Sequence, residues 1–394
     1  MKKLKIAIVS PYPPSDVTLS EYGYHLIKHF TNKEEVGEII VLTNHLADNS
    51  KYESEHGKIS LVPCWNFNSM KNIFTITKTI REEKPDVVLF NLQFMLFGDK
   101  KVAAALGLMI PFVLKLLRIP TVTLLHNILE EVDLANAGFT KNKFLQKVYN
   151  FIGTCLTKLI LQSDLVGVTI EKYVETLRRK YKTNKVVLIP HGTFEIPAMP
   201  DFDKETEKVS VMTFGKFGTY KKVEILIEAV EKIRAKTSLP IELVIAGTDN
   251  PNVKGYLAEV ENKYKHVNNV TYTGYVAEED VPRIFSESTV VVFPYTSTTG
   301  SSGVLHQAGS YGKAAVLPKL GDLERLIDGE GYAGSYFDPE SVDSLAEAIE
   351  KLIVDKESRK KIEYKNYRAA SSLGMSDIVD WYLLHFGSVM KKAV

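Results

Sequence analysis

Short apolar runs alternate with amphipathic stretches along the first half of the chain. The runs have the length of buried strands, and helical or irregular segments separate them. The predicted strands of this half are Lys5–Ser10, Ile39–Thr43, Ile59–Val62, Asp86–Asn91, Thr121–Leu125, Leu165–Thr169 and Val186–Ile189. This rhythm is typical of a parallel sheet built from β-α-β units.

Two of the intervening segments have clear helical patterns. Residues Glu21–Phe30 carry apolar side chains at helical spacing, which predicts a helix against one sheet face. Residues Val102–Leu117 are strongly apolar but shorter than the ~20 residues that cross a bilayer. We therefore expect a single buried helix there.

The second half repeats the same alternation after a segment rich in proline and acidic residues, 195–207. Its predicted strands end near Phe214, Ala246, Thr273, Phe293 and Leu317. We expect helices from Val223 onward, over Glu278–Phe285, from Val304 to Tyr311 with Ser301 or Ser302 as N-cap, and over Ser341–Ile353. The predicted boundaries are an N-terminal domain 1–195, a C-terminal domain 208–374 and a last helix 375–394.

Composition narrows the class of protein. The chain has 394 residues, 45% of them hydrophobic and 25% charged, which indicates two ordinary globular domains and no disorder. A net charge of +1 argues against a general nucleic-acid binder. Its two cysteines, Cys64 and Cys155, form no metal or disulfide pattern, so we expect reduced thiols in the core.

The first residues resemble a secretion signal only superficially. A basic start precedes an apolar run of about five residues, and no small-residue cleavage site follows. We interpret this run as the first buried strand and expect a cytoplasmic protein.

Two loops of the second half have the residues of a phosphate site. In the first, Lys216 and Lys221 flank Gly218 between a strand and a helix, and in the second, Gly300–Gly303 connects a strand to a helix start. Flexible glycines, exposed backbone amides and lysines at a helix N-terminus bind anions. Either loop alone is more often a solvated turn, but the two together favour a phosphate.

These two loops resemble the signatures of a known family. Gly215-Lys216, then Lys221 and LIEA, is similar to the first signature of retaining glycosyltransferase family 4, the glycogen-synthase-like glycosyl transferases group 1. The segments VVFPYTS and GKAAVLPKLGD, with a Gly-rich turn and a helix between them, resemble the second signature. The resemblance implies a GT-B fold, in which two Rossmann-like domains with doubly wound parallel sheets face a central cleft.

The resemblance also implies an activity and a set of site residues. The implied enzyme is a metal-independent hexosyltransferase that transfers sugar, with retention, from a nucleotide-diphosphate sugar of the UDP-sugar or GDP-mannose type. It needs no cofactor beyond this co-substrate, and its acceptor is a glycan or a lipid-linked sugar of polysaccharide biosynthesis. The implied catalytic residues are His126, Lys216 and Lys221, and the implied donor-binding residues are Gly215, Tyr275, Val276, Thr299, Gly300, Ser301, Ser302, Gly303, Val304 and Gln307.

The chain departs from the family at one important pair of positions. The family's two glutamates are replaced here by Thr299 and Gln307. A glutamine still accepts hydrogen bonds from ribose hydroxyls, but without the charge, and each lost charge-assisted bond weakens binding by about 1 kcal/mol. The replacement leaves open a second function, a degenerate sugar-nucleotide-binding subunit without turnover.

A third possible function is that of a sugar-nucleotide 2-epimerase with the same fold. This enzyme would need acidic residues as general bases, for which Glu130 and Glu131 are the candidates.

Two further stretches bear on metal and membrane binding. The single Asp-x-Asp triplet, Asp201-Phe202-Asp203, lies in the proposed linker, which argues against a metal site. The basic amphipathic stretch 141–162 is a candidate for peripheral contact with the inner face of a membrane, although an ordinary surface helix has the same pattern.

Overall fold

The computed structural model describes residues 2–15, 17–46, 51–54, 56–128, 143–203, 208–237, 239–250, 253–297 and 302–393. The chain divides into two compact units, and each is described by itself. Unit 1 contains the described residues up to Phe194 and the C-terminal helix from Met375. Unit 2 contains the described residues from Glu195 to Gly374.

The described part of unit 1 is built on a seven-stranded parallel sheet with the order β3-β2-β1-β4-β5-β6-β7. Continuous apolar runs form its inner strands because helices cover both faces. The strands are β1 Leu4–Val9, β2 Val36–Asn44, β3 Ile59–Trp65, β4 Val87–Leu92, β5 Thr121–Leu125, β6 Leu165–Val168 and β7 Val186–Leu188. The order reverses between β1 and β4, which is the switch point of a doubly wound sheet.

Six helices of unit 1 fall within the described residues before Phe194. They are α1 Ser20–Thr31, α2 Asn72–Glu83, α3 Lys101–Leu108, α4 Ile110–Leu116, α5 Lys143–Ile160 and α6 Glu171–Tyr181. Helix α1 buries Leu26, Ile27 and Phe30 against β1 and β2, as its apolar spacing predicts.

The prediction of one buried helix over Val102–Leu117 is wrong. The segment forms α3 and α4, which meet at Met109. Pro111 lies in the first turn of α4, where its missing amide hydrogen costs nothing, whereas in mid-helix it would break the hydrogen-bond ladder. Val102 and Leu116 are more than half exposed, so the segment is only partly buried.

A long C-terminal helix, Met375–Ala393, belongs to unit 1. Its Phe386 stacks on Phe30 of α1 with ring centroids 5.9 Å apart. Asp380 pairs with Lys33 at 2.6 Å. Through these contacts the last residues of the chain complete the core that the first residues begin.

Unit 2 repeats the design with a six-stranded parallel sheet in its described residues. The order β10-β9-β8-β11-β12-β13 again reverses beside the first strand of the unit, here between β8 and β11. The strands are β8 Val209–Phe217, β9 Ile241–Asp249, β10 Val270–Gly274, β11 Val290–Val292, β12 Ala314–Pro318 and β13 Gly334–Phe337. The two α/β units together give the predicted fold class.

The helices of unit 2 divide between the two faces of this sheet. They are α7 Glu224–Lys236, α8 Tyr256–Lys263, α9 Val281–Glu287, α10 Gly303–Ser310, α11 Gly321–Glu330, α12 Val342–Val354 and α13 Lys356–Ser371, and the C-terminal helix of unit 1 is α14. Helices α7, α8 and α12 share one hydrophobic core with the sheet. A short 3-10 turn, Glu278–Asp280, precedes α9, where the sequence predicts one continuous helix.

The two cysteines differ in burial. Cys64 is buried as expected, but Cys155 is exposed on α5, so the prediction that it is a core thiol is wrong.

The segment predicted to be a linker contacts helix α13. Asp203 of this segment pairs with Lys360 of α13 at 2.8 Å, and Tyr367 donates a hydrogen bond to the carbonyl of Pro197. The described part of this segment is therefore fastened to unit 2.

A buried acidic residue lies behind helix α10. Glu330, at the end of α11, approaches Nε2 of His306 to 3.4 Å, too far for a good hydrogen bond, while Nδ1 of His306 lies 2.8 Å from the Tyr332 hydroxyl. His306 is on the buried face of α10 and is 1% exposed. Burial raises the pKa of Glu330 from 4.5 to about 8.

This pKa predicts how the stability of unit 2 depends on pH. Between pH 4.5 and about 8 the folded protein keeps a proton on Glu330 that the unfolded chain has lost, so stability falls as pH rises through this window. We expect Glu330→Gln to raise the melting temperature at pH 8 by roughly 10 °C and to change it little at pH 5. Calorimetry at both pH values measures the difference, with Glu347→Gln on the exposed side of α12 as the control. A gain of the same size at both pH values would contradict the assignment.

Candidate functional site

The segments that follow β8 and β11, each leading to one of the predicted phosphate loops, meet at the switch point of the sheet of unit 2. The chain leaves β8 after Phe217 and leaves β11 after Val292, and these are neighbouring strands on opposite sides of the reversal. Open α/β sheets bind ligands outside the carboxyl ends of strands at this place. The backbone amide of Lys222 donates to the carbonyl of Pro294 at 3.0 Å, and that of Thr296 donates to the carbonyl of Tyr220 at 2.8 Å. These hydrogen bonds join the segment after β8 to the segment after β11.

Lys221 lies at the centre of this junction. The backbone of Lys221 pairs with that of Tyr295 in an isolated antiparallel bridge, and Nζ of Lys221 lies 4.9 Å from the centroid of the Tyr295 ring. The Tyr220 ring is slightly farther away, at 5.9 Å. Lys221 is only 9% exposed, so its ammonium is held against aromatic faces and largely removed from water.

This ammonium has no anionic partner within the part of the chain that the structure describes. No described carboxylate pairs with Nζ of Lys221, and no described oxygen accepts a hydrogen bond from it. Burial accordingly lowers the pKa of Lys221, opposed only by the charge of Tyr220. A buried cation without a partner is costly for the fold, which favours a site that an anion completes.

Glycine makes room for the ammonium at the end of β8. Gly215 has φ +135°, and a Cβ there would lie 2.6 Å from Nζ of Lys221. Gly247 on β9 lies so close to the carbonyl of Gly215 that any side chain would collide with it. Glycine at position 215 makes room for the ammonium, and glycine at position 247 makes room for the Gly215 carbonyl, so each glycine has a steric reason.

The start of helix α10 reaches the same junction through Tyr295. Ser302 is the N-cap residue of α10, but its side chain makes no capping hydrogen bond, so the expected capping by its hydroxyl is wrong. The hydroxyl is hydrogen-bonded to Tyr295 instead. Tyr295 thus contacts both Lys221 and Ser302, and it brings the lysine and the helix start together.

One face of α10 is available for a ligand. Gly303, Val304 and Gln307 are partly exposed, whereas the intervening Leu305 and His306 are buried. The amides of Gly303 and Val304 precede the first intrahelical bond, in which Leu305 donates to the carbonyl of Ser302. Three predicted site residues, Thr299, Gly300 and Ser301, lie outside the described residues, as do Glu130 and Glu131.

Lys216 and the turn after β10 are arranged differently from Lys221. Lys216 is exposed on β8, next to Gly215, and it forms no ion pair with the residues that the structure describes. Tyr275 is 82% exposed and, with Val276, lines a groove of about 660 Å³ beside β9 and β10. Lys208 lines this groove, whereas Lys216, Lys221 and the residues of α10 do not.

His126, in unit 1, lies at the carboxyl end of β5. Its Nε2 is 2.7 Å from Oδ1 of Asn91, which is on β4 and fully buried. Nδ2 of Asn91 in turn donates to Oγ of Ser10, the residue after β1, at 3.0 Å. These hydrogen bonds span the switch point of the first sheet, where the strand order reverses between β1 and β4.

Aromatic rings enclose this histidine. Tyr22 of α1 packs edge-on against both His126 and His191, with centroid distances of 4.6 and 4.8 Å. Burial, with a smaller contribution from His191, lowers the pKa of His126 to about 3. Burial also lowers the pKa of His191 to about 4. Both rings are therefore neutral near pH 7.

Sequence patterns do not predict the contacts of several residues at the lysine junction of unit 2 and around His126 in unit 1. Tyr295 is part of a quoted motif but carries no signal for holding a lysine. Ser10 and Asn91 end predicted strands, which is where a site is expected, although no pattern links one to the other. His191 stands in a turn that marks the end of the predicted domain. Only the order of the strands shows which of these residues are neighbours.

Comparison with known proteins identifies one segment and supports the fold. Residues 208–355 match the family model described as glycosyl transferases group 1. The O-antigen chain mannosyltransferase C of Escherichia coli is 23% identical over 258 residues, which are 63% of this chain and 66% of that protein. The match thus covers just under two thirds of the relative.

Solved structures resemble the chain over nearly its whole length. Sucrose-phosphate synthase from Thermosynechococcus elongatus aligns with a TM-score of 0.71, at 15% identity and with 99% of each chain covered. Anabaena HepE in complex with UDP-glucose aligns with a TM-score of 0.68, at 16% identity, with 98% of this chain and 100% of the other covered. At such identities the likeness concerns the fold. Residues 208–355 therefore form a glycosyl transferases group 1 domain, in a chain with the fold of the GT-B glycosyltransferases.

Proposed function

We propose that this protein is a retaining glycosyltransferase that uses a nucleotide-diphosphate sugar and no metal ion. The observation that carries the proposal is the buried ammonium of Lys221, which has no anionic partner among the described residues. A diphosphate is an anion of the size and charge that such a place requires. The family match over residues 208–355 and the likeness to structures with bound UDP-glucose support the same ligand class.

Lys221 acts on the leaving group in this proposal. When the bond between the anomeric carbon and the phosphate oxygen breaks, negative charge grows on the diphosphate. A cation in contact with that oxygen stabilises the transition state more than the ground state. Because Tyr295 and Gly215 already hold the ammonium in place, little reorganisation is needed when the charge develops. The exposed Lys216 adds a second, more mobile cation.

The remaining predicted residues bind other parts of the donor. The amides of Gly303 and Val304 donate hydrogen bonds to the distal phosphate at the start of α10, together with Gly300, Ser301 and Ser302. Gln307 binds the ribose, and Thr299 lies on the sugar side. Tyr275 and Val276 contact the base. His126 orients the sugar.

The chemical step follows from the proposed retention of configuration. The acceptor hydroxyl attacks the anomeric carbon from the face that the diphosphate leaves. Its proton passes to the leaving phosphate oxygen, so the products are the glycoside and the nucleoside diphosphate. Lys221 stays protonated throughout, because its role is to balance charge and not to transfer a proton.

The acceptor is a glycan or a lipid-linked sugar, and helix α5 offers a surface for the second kind. Phe151 and Ile152 are exposed on this helix, and Lys158 lies exposed about two turns beyond them. Exposed aromatic and basic side chains on one helix bind anionic membrane surfaces. None of the described helices is sufficiently long and apolar to span a bilayer, so the proposed contact is peripheral.

A sugar-nucleotide-binding subunit without turnover is the second candidate, because a neutral glutamine at position 307 and a threonine at position 299 replace the family's glutamates. Incubation with a panel of UDP-sugars and GDP-mannose, with and without acceptor extracts, separates the two. Release of nucleoside diphosphate that depends on acceptor supports the enzyme. Saturable binding without release would support the binding subunit.

Lys221→Met tests the proposed role of the buried cation. The variant keeps the buried aliphatic stem but removes the charge, so we expect transfer to fall about 100-fold or more, the cost of about 3 kcal/mol of lost transition-state stabilisation. Since no described group is left unpaired, the melting temperature of the ligand-free protein should rise by roughly 2–4 °C. Donor turnover and calorimetry measure the two effects.

Lys313→Met is the matched control for this variant. Nζ of Lys313 is also largely buried, but it donates to the carbonyls of Ser286 and Ser288, both at 2.9 Å. We expect its removal to lower the melting temperature, because two carbonyls lose their donor, and to leave transfer within a few fold. If Lys221→Met retained transfer, or lost stability as Lys313→Met does, the phosphate role of Lys221 would be refuted.

Substitutions of Gln307 should have a smaller effect on ligand binding than Lys221→Met, and one that a different ligand distinguishes. We expect Gln307→Ala to weaken nucleoside diphosphate binding by about fivefold, the cost of one neutral hydrogen bond, and Gln307→Glu to strengthen it. Because the proposed contact is to ribose, both changes should affect nucleosides as well as nucleoside diphosphates, whereas Lys221→Met should affect only the diphosphates. Calorimetric titration measures each pair. Loss of all binding in Gln307→Glu would show that the residue does not face ribose.

Exchange of exposed residues tests the membrane surface of α5. We expect the double variant Phe151→Ser, Ile152→Ser to reduce sedimentation with phosphatidylglycerol vesicles by about tenfold, because two apolar side chains no longer enter the lipid. Phe74→Ser on α2, where the ring is 73% exposed, is the control and should bind as the unmodified protein does. Equal binding by all three proteins would exclude α5 as the contact.

A further inference from the structure

A chain of three hydrogen bonds leads from His126 to a backbone carbonyl in unit 1. Oγ of Ser10 donates to the carbonyl oxygen of Pro11 at 2.8 Å. Nδ2 of Asn91 donates to Oγ of Ser10 at 3.0 Å. Oδ1 of Asn91 lies 2.7 Å from Nε2 of His126. Ser10 and Asn91 are both fully buried, so water does not compete for these bonds.

The Pro11 carbonyl, at the end of this series of hydrogen bonds, determines which group donates in each of them. A carbonyl oxygen only accepts, so the Ser10 hydroxyl must give its single proton to Pro11. Oγ of Ser10 is then an acceptor, and the group of Asn91 that faces it must be the amide NH₂. The opposite side of Asn91, which faces His126, is therefore the carbonyl oxygen Oδ1. Since that oxygen also only accepts, Nε2 of His126 must carry the proton.

The reverse orientation of the Asn91 amide is excluded by a second carbonyl. Nδ2 also lies 3.5 Å from the carbonyl oxygen of Leu19, at the start of α1. A flipped amide would place Oδ1 against this oxygen and would take the Ser10 proton away from Pro11. Amide orientations follow from the whole network, and here two carbonyl acceptors agree.

The close packing of α1 keeps the chain of hydrogen bonds intact. Gly23 of α1 lies beside it, and a Cβ at this position would collide with Oγ of Ser10 and lie 2.8 Å from the carbonyl of Pro11. Any larger residue would push the serine hydroxyl out of line. Glycine is therefore required at position 23 because of this close contact, which the apolar pattern of α1 does not predict.

We infer that Asn91 is a positioning residue that fixes His126 as the neutral Nε2–H tautomer, so that its Nδ1 accepts a hydrogen bond from a hydroxyl of the ligand. No described residue hydrogen-bonds to Nδ1, and the side chain is partly exposed. A neutral ring with a free lone pair selects a hydroxyl and rejects a carboxylate or phosphate at this point. This inference deepens the proposed function and rests on it for the identity of the ligand as a sugar.

The neutral state of the ring agrees with its surroundings. The groups that face His126 from neighbouring elements are the Tyr22 ring, the His191 ring and the Asn91 amide, none of them an acid. The Nδ1 of His191 is 3.0 Å from the carbonyl of Gly192 and so carries a proton of its own. Among the described residues nothing stabilises an imidazolium at position 126.

The tautomer can be measured without any substrate. In protein labelled with ¹⁵N-histidine, long-range ¹H–¹⁵N spectra distinguish Nε2–H from Nδ1–H rings, and loss of one signal set in His126→Gln assigns the residue. We expect a neutral Nε2–H pattern that does not titrate down to about pH 5. A neutral Nδ1–H pattern, or a doubly protonated ring at neutral pH, would overturn the inference. This result stands whether or not the protein transfers sugar.

Asn91→Asp tests the consequence for the ligand. A carboxylate that accepts from Nε2 stabilises the imidazolium, so Nδ1 gains a proton and can no longer accept. We expect kcat/KM for the sugar nucleotide to fall by about tenfold or more at neutral pH and to recover as the pH rises through the new pKa of His126. A loss that is independent of pH would indicate a purely structural role and would overturn the inference.

Asn127→Asp is the matched control. It adds the same charge beside His126 in the sequence, but the Asn127 side chain accepts from the amide of Phe94 and does not contact the ring. We expect an unchanged tautomer and a flat pH profile near neutrality. If no sugar nucleotide reacts with the unmodified protein while the tautomer is as expected, the proposed function fails and the positioning role of Asn91 survives.

Discussion

The buried ammonium of Lys221, which has no acidic partner among the residues that the structure describes, is the constraint on which the candidate site of unit 2 depends. A buried cation without an acid would ordinarily be selected against, because its removal would stabilise the fold. Here three features hold the Lys221 ammonium in place. Gly215, with a positive φ, lies beneath the ammonium, the Tyr295 ring lies beside it, and hydrogen bonds connect the loops that follow β8 and β11. These features are consistent with a site whose missing partner is supplied by the ligand.

Sheet topology explains where both candidate sites lie. In each unit the strand order reverses beside the unit's first strand, so the loops after two adjacent strands leave in opposite directions and open a crevice. Lys221 and Tyr295 occupy this position in unit 2. Ser10 and Asn91 occupy it in unit 1, with His126 at the end of the next strand. The same architectural rule therefore produces a cationic site in one unit and a neutral one in the other.

Much of this fold could be predicted from the sequence, because its information is local. Apolar runs bounded by glycine, proline and charged residues predict every strand of the first sheet and five of the six described strands of the second to within a few residues, but not the short edge strand β13. Predictions were wrong where local pattern and packing conflict. Pro111 divides an apolar stretch that reads as one helix, and Cys155 is exposed although cysteines are usually buried.

The sites were less predictable than the fold, because their decisive contacts are distant in sequence. Lys221 appears in a local motif, but its burial depends on Tyr295, which belongs to another loop. Ser302 stands at the predicted cap position, yet its hydroxyl bonds to Tyr295 because that contact is also available. Asn91 and Ser10 become neighbours only when β1 and β4 pair. Sequence periodicity contains none of these pairings.

The chemistry of each candidate site follows from the groups that its own unit packs around it. In unit 2 the ammonium of Lys221 is buried beside aromatic rings and no described carboxylate neutralises it, so an anion such as a diphosphate supplies the attraction that the described residues lack. In unit 1 the ring of His126 faces two aromatic rings and an amide, and burial lowers its pKa to about 3, so the ring is neutral near pH 7. A neutral ring hydrogen-bonds to a hydroxyl but offers no charge to a phosphate. The two units therefore favour different classes of ligand group, one anionic and one uncharged.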